Sequence, residues 1–263
     1  MLFRELPLPE AARGAAACAW RFALEDHDPP AIEHIAPPDG ATNFVVIVGP
    51  DGQLMARFIG PALAARRIPV MRGWSYAGLR LRPEAALAVT GRAPDPALSE
   101  PLATDGPFAA IIVDLAALAV DDWRGGEGIA AALAGITGQD RAVADAVDRL
   151  ALSGGTIPIA RLAEQAGIGA RQFRRRFLAA TGIPAKQYAS IQRVRRALLL
   201  SLGDPDWAGI ASAAGFADQP HLARDIRGRF GAAPVTVRGY LGGIRHELIA
   251  PVRFVQDAAP RGG

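Results

Sequence analysis

One local pattern occurs twice in the second half of the sequence and restricts the fold more than any other feature. In each copy a short apolar helix ends at a glycine turn, and a second helix follows that has an apolar stripe and a basic opposite face. The copies span 158–184 and 206–234, and the amphipathic stretch 184–202 joins them. The repeat predicts two helix-turn-helix units that one long helix holds at a fixed separation.

The apolar stripes of the two basic helices indicate which side chains face outward. Phe173 and Phe177 form the stripe of the first helix, and Leu222, Ile226 and Phe230 recur at every fourth position of the second. Arginines occupy much of the opposite faces, and a guanidinium fork matches O6 and N7 of guanine in the major groove. We therefore expect both helices to contact DNA.

The predicted DNA contacts differ in kind. Arg171 and Arg175 are the best candidates for base contacts, with phosphate binding as the open alternative, and Arg224 is the main candidate of the second helix. Arg174 and Arg176 lie on the flanks and are predicted to contact phosphates. The complete predicted set, in helices 170–180 and 219–230, is Arg171, Gln172, Arg174, Arg175, Arg176, Gln219, His221, Arg224 and Arg227.

The charge of the chain is divided unevenly along its length. Residues 1–140 hold 11 arginines and 17 acidic residues, whereas residues 141–263 hold 18 basic and 9 acidic residues. An acidic half joined to a basic half suggests a polyanion-binding module attached to a second domain, and a random solvated surface is the alternative. A chain of 263 residues is long enough for two such domains.

The first half of the sequence predicts a strand-rich domain followed by helices. Residues 31–82 read as strands and turns, and helices are predicted at 109–119 and 128–133. The apolar stripe of the first of these helices is predicted to pair two chains, and it consists of Ile111, Ile112, Leu115 and Leu118.

Alternation along 75–82 separates two faces of one predicted strand. Tyr76, Arg80 and Arg82 share one face, opposite Leu79 and Leu81. That face is either the lining of a barrel, where two arginines and a phenol suit an anionic or polar aromatic effector, or the wet outside of a sheet. The sequence leaves both readings open.

Several function classes lack their sequence signatures. The lone Cys18 supports neither a disulfide framework nor a cysteine-based zinc site, and no phosphate-binding glycine loop or nucleophile elbow occurs. His27 and His34, with nearby acids, leave a metal site as a minor alternative. The N-terminus does not read as a secretory signal, and the longest apolar run, 108–120, is too short to span a bilayer. We therefore expect a cytoplasmic protein without membrane contact.

Residues 143–240 resemble the AraC/XylS family of transcriptional regulators over most of its signature. The resemblance implies two helix-turn-helix subdomains that insert recognition helices into successive major grooves. Pro220 stands where the family often has a polar base-reading residue, and Gly228 interrupts the basic face. The matching residues are Leu162, Ala163, Gly167, Phe173, Arg175, Phe177, Gly182, Pro184, Tyr188, Arg193, Ala197, Ile210, Ala211, Gly215, Phe216, Asp218, His221, Arg224, Phe230, Gly231, Pro234 and Arg238.

The N-terminal half is similar, more faintly, to the cupin-like domain of one branch of these regulators. The similar stretches are PPDGATNFVV, FIGPALAARRIPV, GLRLRPEAALAVTG and the late VRFVQD. We therefore expect a multidomain α and β protein. Its predicted parts are a cupin-like β-barrel or α+β domain for effector binding or dimerisation at 1–120, a helical linker at 121–142, an all-α double helix-turn-helix domain at 143–242 and a tail at 243–263.

The predicted function is sequence-specific transcription regulation, without enzymatic activity or a cofactor. The expected partners are double-stranded DNA, a small-molecule effector, RNA polymerase and a second copy of the chain. The alternative is a metal-dependent cupin-type enzyme fused to a DNA-binding domain. The sequence shows no clustered set of histidine and glutamate ligands that would favour this alternative.

Overall fold

The computed structural model describes residues 2–203 and 206–242, in which a strand-rich part precedes a helical part. The predicted tail at 243–263, including the stretch VRFVQD, lies outside the described residues. The strands are β1 (Leu2–Leu6), β2 (Ala16–Ala23), β3 (Ala31–Ala36), β4 (Asn43–Val48), β5 (Leu54–Ile59), β6 (Arg66–Met71), β7 (Ser75–Leu81) and β8 (Ser99–Pro101). The α-helices are α1 (Ala86–Thr90), α2 (Ala109–Ala119), α3 (Glu127–Leu133), α4 (Arg141–Leu152), α5 (Ile159–Gln165), α6 (Ala170–Thr181), α7 (Ala185–Gly203), α8 (Trp207–Ala213), α9 (Gln219–Phe230) and α10 (Pro234–Gly242).

The strands form two antiparallel sheets. The larger sheet has six strands in the order β1-β2-β7-β4-β5-β8, and β3 pairs with β6 in a separate two-stranded sheet. Strand β7 lies inside the larger sheet, where it pairs with β2 on one side and β4 on the other. Both edges of β7 are therefore hydrogen-bonded, and its side chains alternate between the two faces of the sheet.

The alternation along β7 separates two apolar clusters. Leu79 and Leu81 pack in the cluster that the larger sheet shares with α2 and α3. Tyr76 points the other way, into the cluster between the two sheets. Gly78 shares that second face, and a Cβ there would lie 2.3 Å from the ring of Trp20, so the glycine gives the indole room to lie against the strand.

Helix α2 covers the larger sheet, and its apolar stripe is part of the core of the same chain. The stripe residues Ile111, Ile112, Leu115 and Leu118 are at most 1% exposed. The prediction that this stripe pairs two chains is therefore wrong, because a sheet with an apolar face needs a covering layer and α2 supplies it. Ile129 of α3 is buried in the same cluster, within the segment 121–142 that the sequence predicts as a linker.

The helical part contains two apolar clusters arranged along α7. Tyr188 and Ile191 of α7 belong to the first cluster, which also contains the phenylalanines of α6. Val194 and Leu198 belong to the second cluster, which contains the apolar stripe of α9. This arrangement confirms the predicted fold, in which two helix-turn-helix units share one long helix.

The two parts of the chain contact each other directly. The Tyr240 hydroxyl of α10 lies 2.9 Å from Nδ1 of the buried His34 of β3. The backbone N–H of Ala65 donates to the carbonyl of Arg229 in α9 at 2.8 Å. The segment between β5 and β6 is therefore hydrogen-bonded to the second basic helix. Among the described residues, no helix has both the length and the apolar character that a bilayer span requires.

Candidate nucleic-acid interface and ligand cavity

The first basic helix, α6, presents its arginines on the side opposite its buried phenylalanines. It begins after Gly169, which has extended backbone angles at the N-cap, and Phe173 and Phe177 are fully buried. The predicted base readers Arg171 and Arg175 are exposed, as are Gln172 and Arg174. These four polar side chains form a continuous accessible surface on α6, as a helix that enters a major groove requires.

Arg176 lies in a different environment from its neighbours. Its Nε donates to Oδ2 of Asp140 at 2.5 Å, and its Nη2 donates to Oδ1 at 2.6 Å. Asp140 is also the N-cap of α4, where it accepts the backbone N–H groups of Ala142 and Val143. The hydrogen bonds from Arg176 hold the pKa of the Asp140 carboxyl below its usual value. This pairing gives Arg176 a structural role that competes with the predicted phosphate contact.

The second basic helix, α9, begins at the expected cap. Oδ1 of Asp218 accepts the backbone N–H of His221 at 2.7 Å, and Pro220 occupies the first turn. The helix ends at Gly231, whose φ of 66° is in the left-handed region that favours glycine. These two caps fix where the helix begins and ends, and its buried residues Leu222, Ile226 and Phe230 set the direction of its basic face.

The predicted contacts on α9 are not equally accessible. Gln219, Arg224 and Arg227 are exposed. His221 is only partly exposed, and its ring packs edge-on against Phe216 with centroids 5.3 Å apart. The histidine therefore stabilises the turn between α8 and α9 whether or not it also contacts a phosphate.

Arg229 lies only two residues after Arg227 but faces the strand-rich part of the chain. Its Nη1 donates to the carbonyl of Leu63 at 2.6 Å, and its Nη2 donates to Gln187 of α7 at 3.2 Å. Burial lowers the pKa of the Arg229 guanidinium. The basic residues of α9 thus divide into an outward group and one inward arginine that attaches the helix to the rest of the molecule.

A second candidate site lies between the two sheets, and we call it the intersheet cavity. Its volume is about 560 Å³, within the range of small-molecule sites. Its apolar walls come from both sheets, with Trp20 and Phe22 of β2 on one side and Ile68 and Val70 of β6 on the other. The cavity lies on the side of β7 that carries Tyr76, so this face of the strand lines a cavity.

The three predicted effector residues do not all reach this cavity. Tyr76 and Arg80 line it. Arg82 does not, because β7 ends at Leu81 and the Arg82 side chain turns to Glu84 and to Asp148 of α4. Arg82 therefore contacts the helical part of the chain and lies outside the lining of the cavity.

The cavity also contains arginines that sequence reasoning missed. Arg57 of β5, Arg66 and Arg67 of β6 and Arg195 of α7 line it together with Arg80. Arg195 is only 4% exposed, and its Nη1 donates to the carbonyl of Pro38. No local signal identifies these residues, since their convergence depends on the pairing of distant strands.

The candidate metal ligands do not converge in the way the sequence suggested. Within the described ranges, one group of three ligand-type side chains lies close together at the surface, formed by Glu25, His27 and Asp28. His34 is elsewhere, buried beside Tyr240. Exposed acidic groups of this kind are common in loops and carry no further implication.

Residues 162–239 match a family model described as a helix-turn-helix domain. The matched range runs from α5 into α10 and includes both basic helices. A search of curated proteins found no match to the chain.

Three solved structures align with all or part of this chain. ToxT from Vibrio cholerae aligns at 9% identity and a TM-score of 0.46, covering 91% of this chain and 99% of that chain. ToxT from Vibrio cholerae O395 bound to (E)-4-(8-methylnaphthalen-1-yl)but-3-enoic acid aligns at 10% identity and a TM-score of 0.46, covering 92% and 100%. The DNA-binding domain of AdpA in complex with a target DNA aligns at 28% identity and a TM-score of 0.33, covering 40% and 93%. These TM-scores are too low to establish a shared fold.

Proposed function

We propose that this chain reads two successive major grooves of DNA with α6 and α9. The chain is a DNA-binding transcription regulator, and its residues 162–239 form a helix-turn-helix domain of the AraC type. We further propose that a small molecule in the intersheet cavity modulates this binding. The observation that carries the first proposal is the exposed polar face of α6 opposite two fully buried phenylalanines.

The charge and the caps of the helices support the proposed docking on DNA. Arg171, Arg174 and Arg175 offer three guanidinium groups on one accessible face, and neutralised phosphates supply most of the affinity of such modules. On α9, Arg224 and Arg227 remain accessible, so the second helix has two arginines for the same task. The shared helix α7 sets the separation between the two faces.

The test is selection of bound sequences from random double-stranded DNA with the full chain, followed by footprinting of the selected site. We expect two protected segments with centres about 10 base pairs apart, because two recognition helices on one face of the duplex are separated by a helical turn. With roughly six phosphate contacts, the affinity should fall with salt at a log–log slope near −5. Recovery of no preferred sequence, or a flat salt response, would contradict the proposal.

The proposed effector role rests on the closeness of the intersheet cavity to the DNA-binding helices. Arg195 lines the cavity and belongs to α7, which carries parts of both helix-turn-helix clusters. Arg66 also lines it, and Ala65, its neighbour in the chain, is hydrogen-bonded to Arg229 of α9. A bound molecule would therefore contact groups that are directly attached to the helices proposed to read DNA.

The predicted domain boundaries and the further partners remain proposals. A second copy of the chain and RNA polymerase are the expected protein partners, and burial of the α2 stripe removes the feature on which the pairing was based. Sedimentation of the full chain at micromolar concentration, alone and with the selected DNA, measures the pairing. A monomer in both samples would contradict the predicted homodimer.

A further inference from the structure

We propose that a short segment of the strand-rich part, residues 63–65, sets the spacing between the two DNA half-sites that the chain recognises. This segment, which we call the bridging segment, contacts both helix-turn-helix units and is hydrogen-bonded to α9. The inference rests on the proposed reading of two successive grooves by α6 and α9. It assigns part of the DNA specificity to residues that lie outside the matched range 162–239.

The bridging segment packs against the apolar cluster of each unit. Leu63 is half-buried and packs against the first cluster, which contains Phe173 and Phe177 of α6. Ala65, two residues later, packs against the second cluster, which contains the apolar stripe of α9. A rotation of one unit relative to the other would therefore separate one of these residues from its cluster. Such a rotation is unfavourable, because apolar surface returns to water.

Arg229 connects the bridging segment to both α9 and α7. The backbone N–H of Ala65 donates to the carbonyl of Arg229 at 2.8 Å, and Nη1 of Arg229 donates to the carbonyl of Leu63 at 2.6 Å. Nη2 of the same side chain donates to Oε1 of Gln187 in α7 at 3.2 Å. Hydrogen bonds from a charged donor are stronger than neutral ones, so α9 can rotate about α7 only at a cost.

The stretch that contains the bridging segment is attached at both of its ends. Gly60 directly follows β5 and Arg66 begins β6, and Nη2 of Arg66 donates to the carbonyl of Gly60 at 3.0 Å. The backbone N–H of Gly40 donates to the carbonyl of Ala62 at 3.2 Å. Pro61 is buried, and its ring fixes the backbone angle φ. The strand-rich part therefore holds the bridging segment in one position relative to the sheets.

A fixed orientation of α9 selects one spacing on the duplex. Since DNA turns once in about 10 to 10.5 base pairs, one added base pair rotates the second groove by about 35°. The same base pair moves that groove by about 3.4 Å along the axis. Helix α9 can follow this change only if the hydrogen bonds of Arg229 break. The bridging segment should therefore make the chain intolerant of a shift of one base pair between the half-sites.

The test measures binding of the full chain to duplexes that contain the two selected half-sites at different separations. The separation found by selection is compared, by fluorescence anisotropy, with separations one base pair shorter and one base pair longer. We expect the unaltered chain to bind both altered duplexes at least about tenfold more weakly, because each requires the loss of a charge-assisted hydrogen bond. Equal affinities for the three duplexes would overturn the proposal.

Two variants locate the spacing preference in the bridging segment. Arg229→Ala removes the hydrogen bonds to Leu63 and Gln187, and Leu63→Ala removes apolar contact with the first cluster. In each variant the ratio of the affinities for the selected and the altered separations should fall at least about threefold. The base preferences within each half-site should stay the same. This ratio is measured within one preparation, so it does not depend on the fraction of the variant that is folded.

The matched controls are Arg124→Ala and Leu54→Ala. Both residues belong to the strand-rich part and are exposed, and in the described part of the chain neither is a member of the two helical clusters. Their spacing ratios should equal the ratio of the unaltered chain. If Arg229→Ala and Leu63→Ala lower the affinity by the same factor at every separation, the bridging segment has a structural role only and the proposal is wrong.

Selection of bound sequences with the unaltered chain separates this proposal from the proposed function. Recovery of no preferred sequence contradicts DNA recognition by α6 and α9, and the spacing role with it. A preferred sequence whose spacing dependence is the same in the variants and in the unaltered chain contradicts the spacing role alone and leaves DNA recognition standing.

Discussion

Arg175 and Arg176 are neighbours in the chain but have different partners. Arg175 is exposed on α6, whereas Arg176 makes a two-point ion pair with Asp140 at the start of α4. Arg175 is available to a base, and Arg176 attaches α6 to the start of α4.

Arg175→Ala should therefore reduce specificity. A lost bidentate contact with a guanine costs about 1–3 kcal/mol at one base pair, so the preference at that position should disappear and the remaining positions should keep theirs. Fluorescence anisotropy with the selected site, with its single-base variants and with random DNA measures the change. An equal loss of affinity on all of these sequences would instead assign Arg175 to a phosphate.

Asp140→Asn should lower stability in a way that depends on pH. Asparagine keeps the N-cap acceptor but removes the charge that Arg176 requires. Because the folded pKa of Asp140 is lowered, its contribution is complete above the unfolded pKa of about 4 and is lost as the pH falls through the folded value. We expect a loss of less than about 1 kcal/mol at neutral pH, since the Arg176 side chain is 35% exposed and solvent screens the pair.

Urea unfolding at neutral and at acidic pH measures this difference. The control is Asp145→Asn, which removes an exposed pair with Arg149 on the same helix. The free energy of unfolding of Asp140→Asn should approach that of the unaltered chain below the folded pKa of Asp140. If the difference persists unchanged there, the charge of Asp140 is not its cause.

The two faces of helix α9 have different partners. Arg227 is exposed, whereas Arg229 is attached to Leu63 and Gln187. A helix that is fixed on one side and free on the other can present only the free side to a partner.

Arg227→Ala should reduce the magnitude of the salt slope of DNA binding by about 1, and Arg229→Ala should leave it unchanged. The two residues are matched in type and in helix, so each serves as the control for the other. Titration of DNA binding at several salt concentrations gives the slopes. A reduction in the Arg229 variant would place that residue on the DNA.

The local sequence pattern correctly predicts the helices and the strands that are rich in β-branched residues. The caps of α9 and the apolar stripe of α6 depend on neighbours within one or two turns. Strand β2 was not predicted, because its sequence AACAWRFA is rich in alanine and its conformation depends on pairing with β1 and β7. The cavity could not be predicted for the same reason. Arg195 and Arg66 are far apart in the chain, and only the tertiary fold brings them together.

At the scale of the whole molecule, Arg82 connects the two parts of the chain. It pairs with the buried carboxylate of Glu84 and with Asp148 of α4 at 2.8 Å. The side chain of Glu84 is only 1% exposed, and burial raises its pKa. Removal of Arg82 would leave a buried charge without its main partner.

Arg82→Met should destabilise the chain by about 3–5 kcal/mol at neutral pH, and a further Glu84→Gln should restore part of the loss. This loss in the free energy of unfolding should become smaller as the pH falls, because protonation removes the buried charge of Glu84. The folded state of the variant binds that proton more tightly than the unfolded state does. Chemical denaturation measures both variants. Arg92→Met is the control, since its pair with Glu100 is exposed and should be worth less than about 1 kcal/mol.

Helix α7 forms part of both helix-turn-helix clusters and, through Arg195, part of the cavity wall. A small molecule that displaced the whole of this helix would therefore move both recognition helices. In a titration with the effector, the two halves of an operator should therefore lose protection at one shared concentration. The regulator would then have two occupancy states on its operator, both halves bound or both released, and intermediate levels of transcription would reflect the proportion of cells or of time in each state.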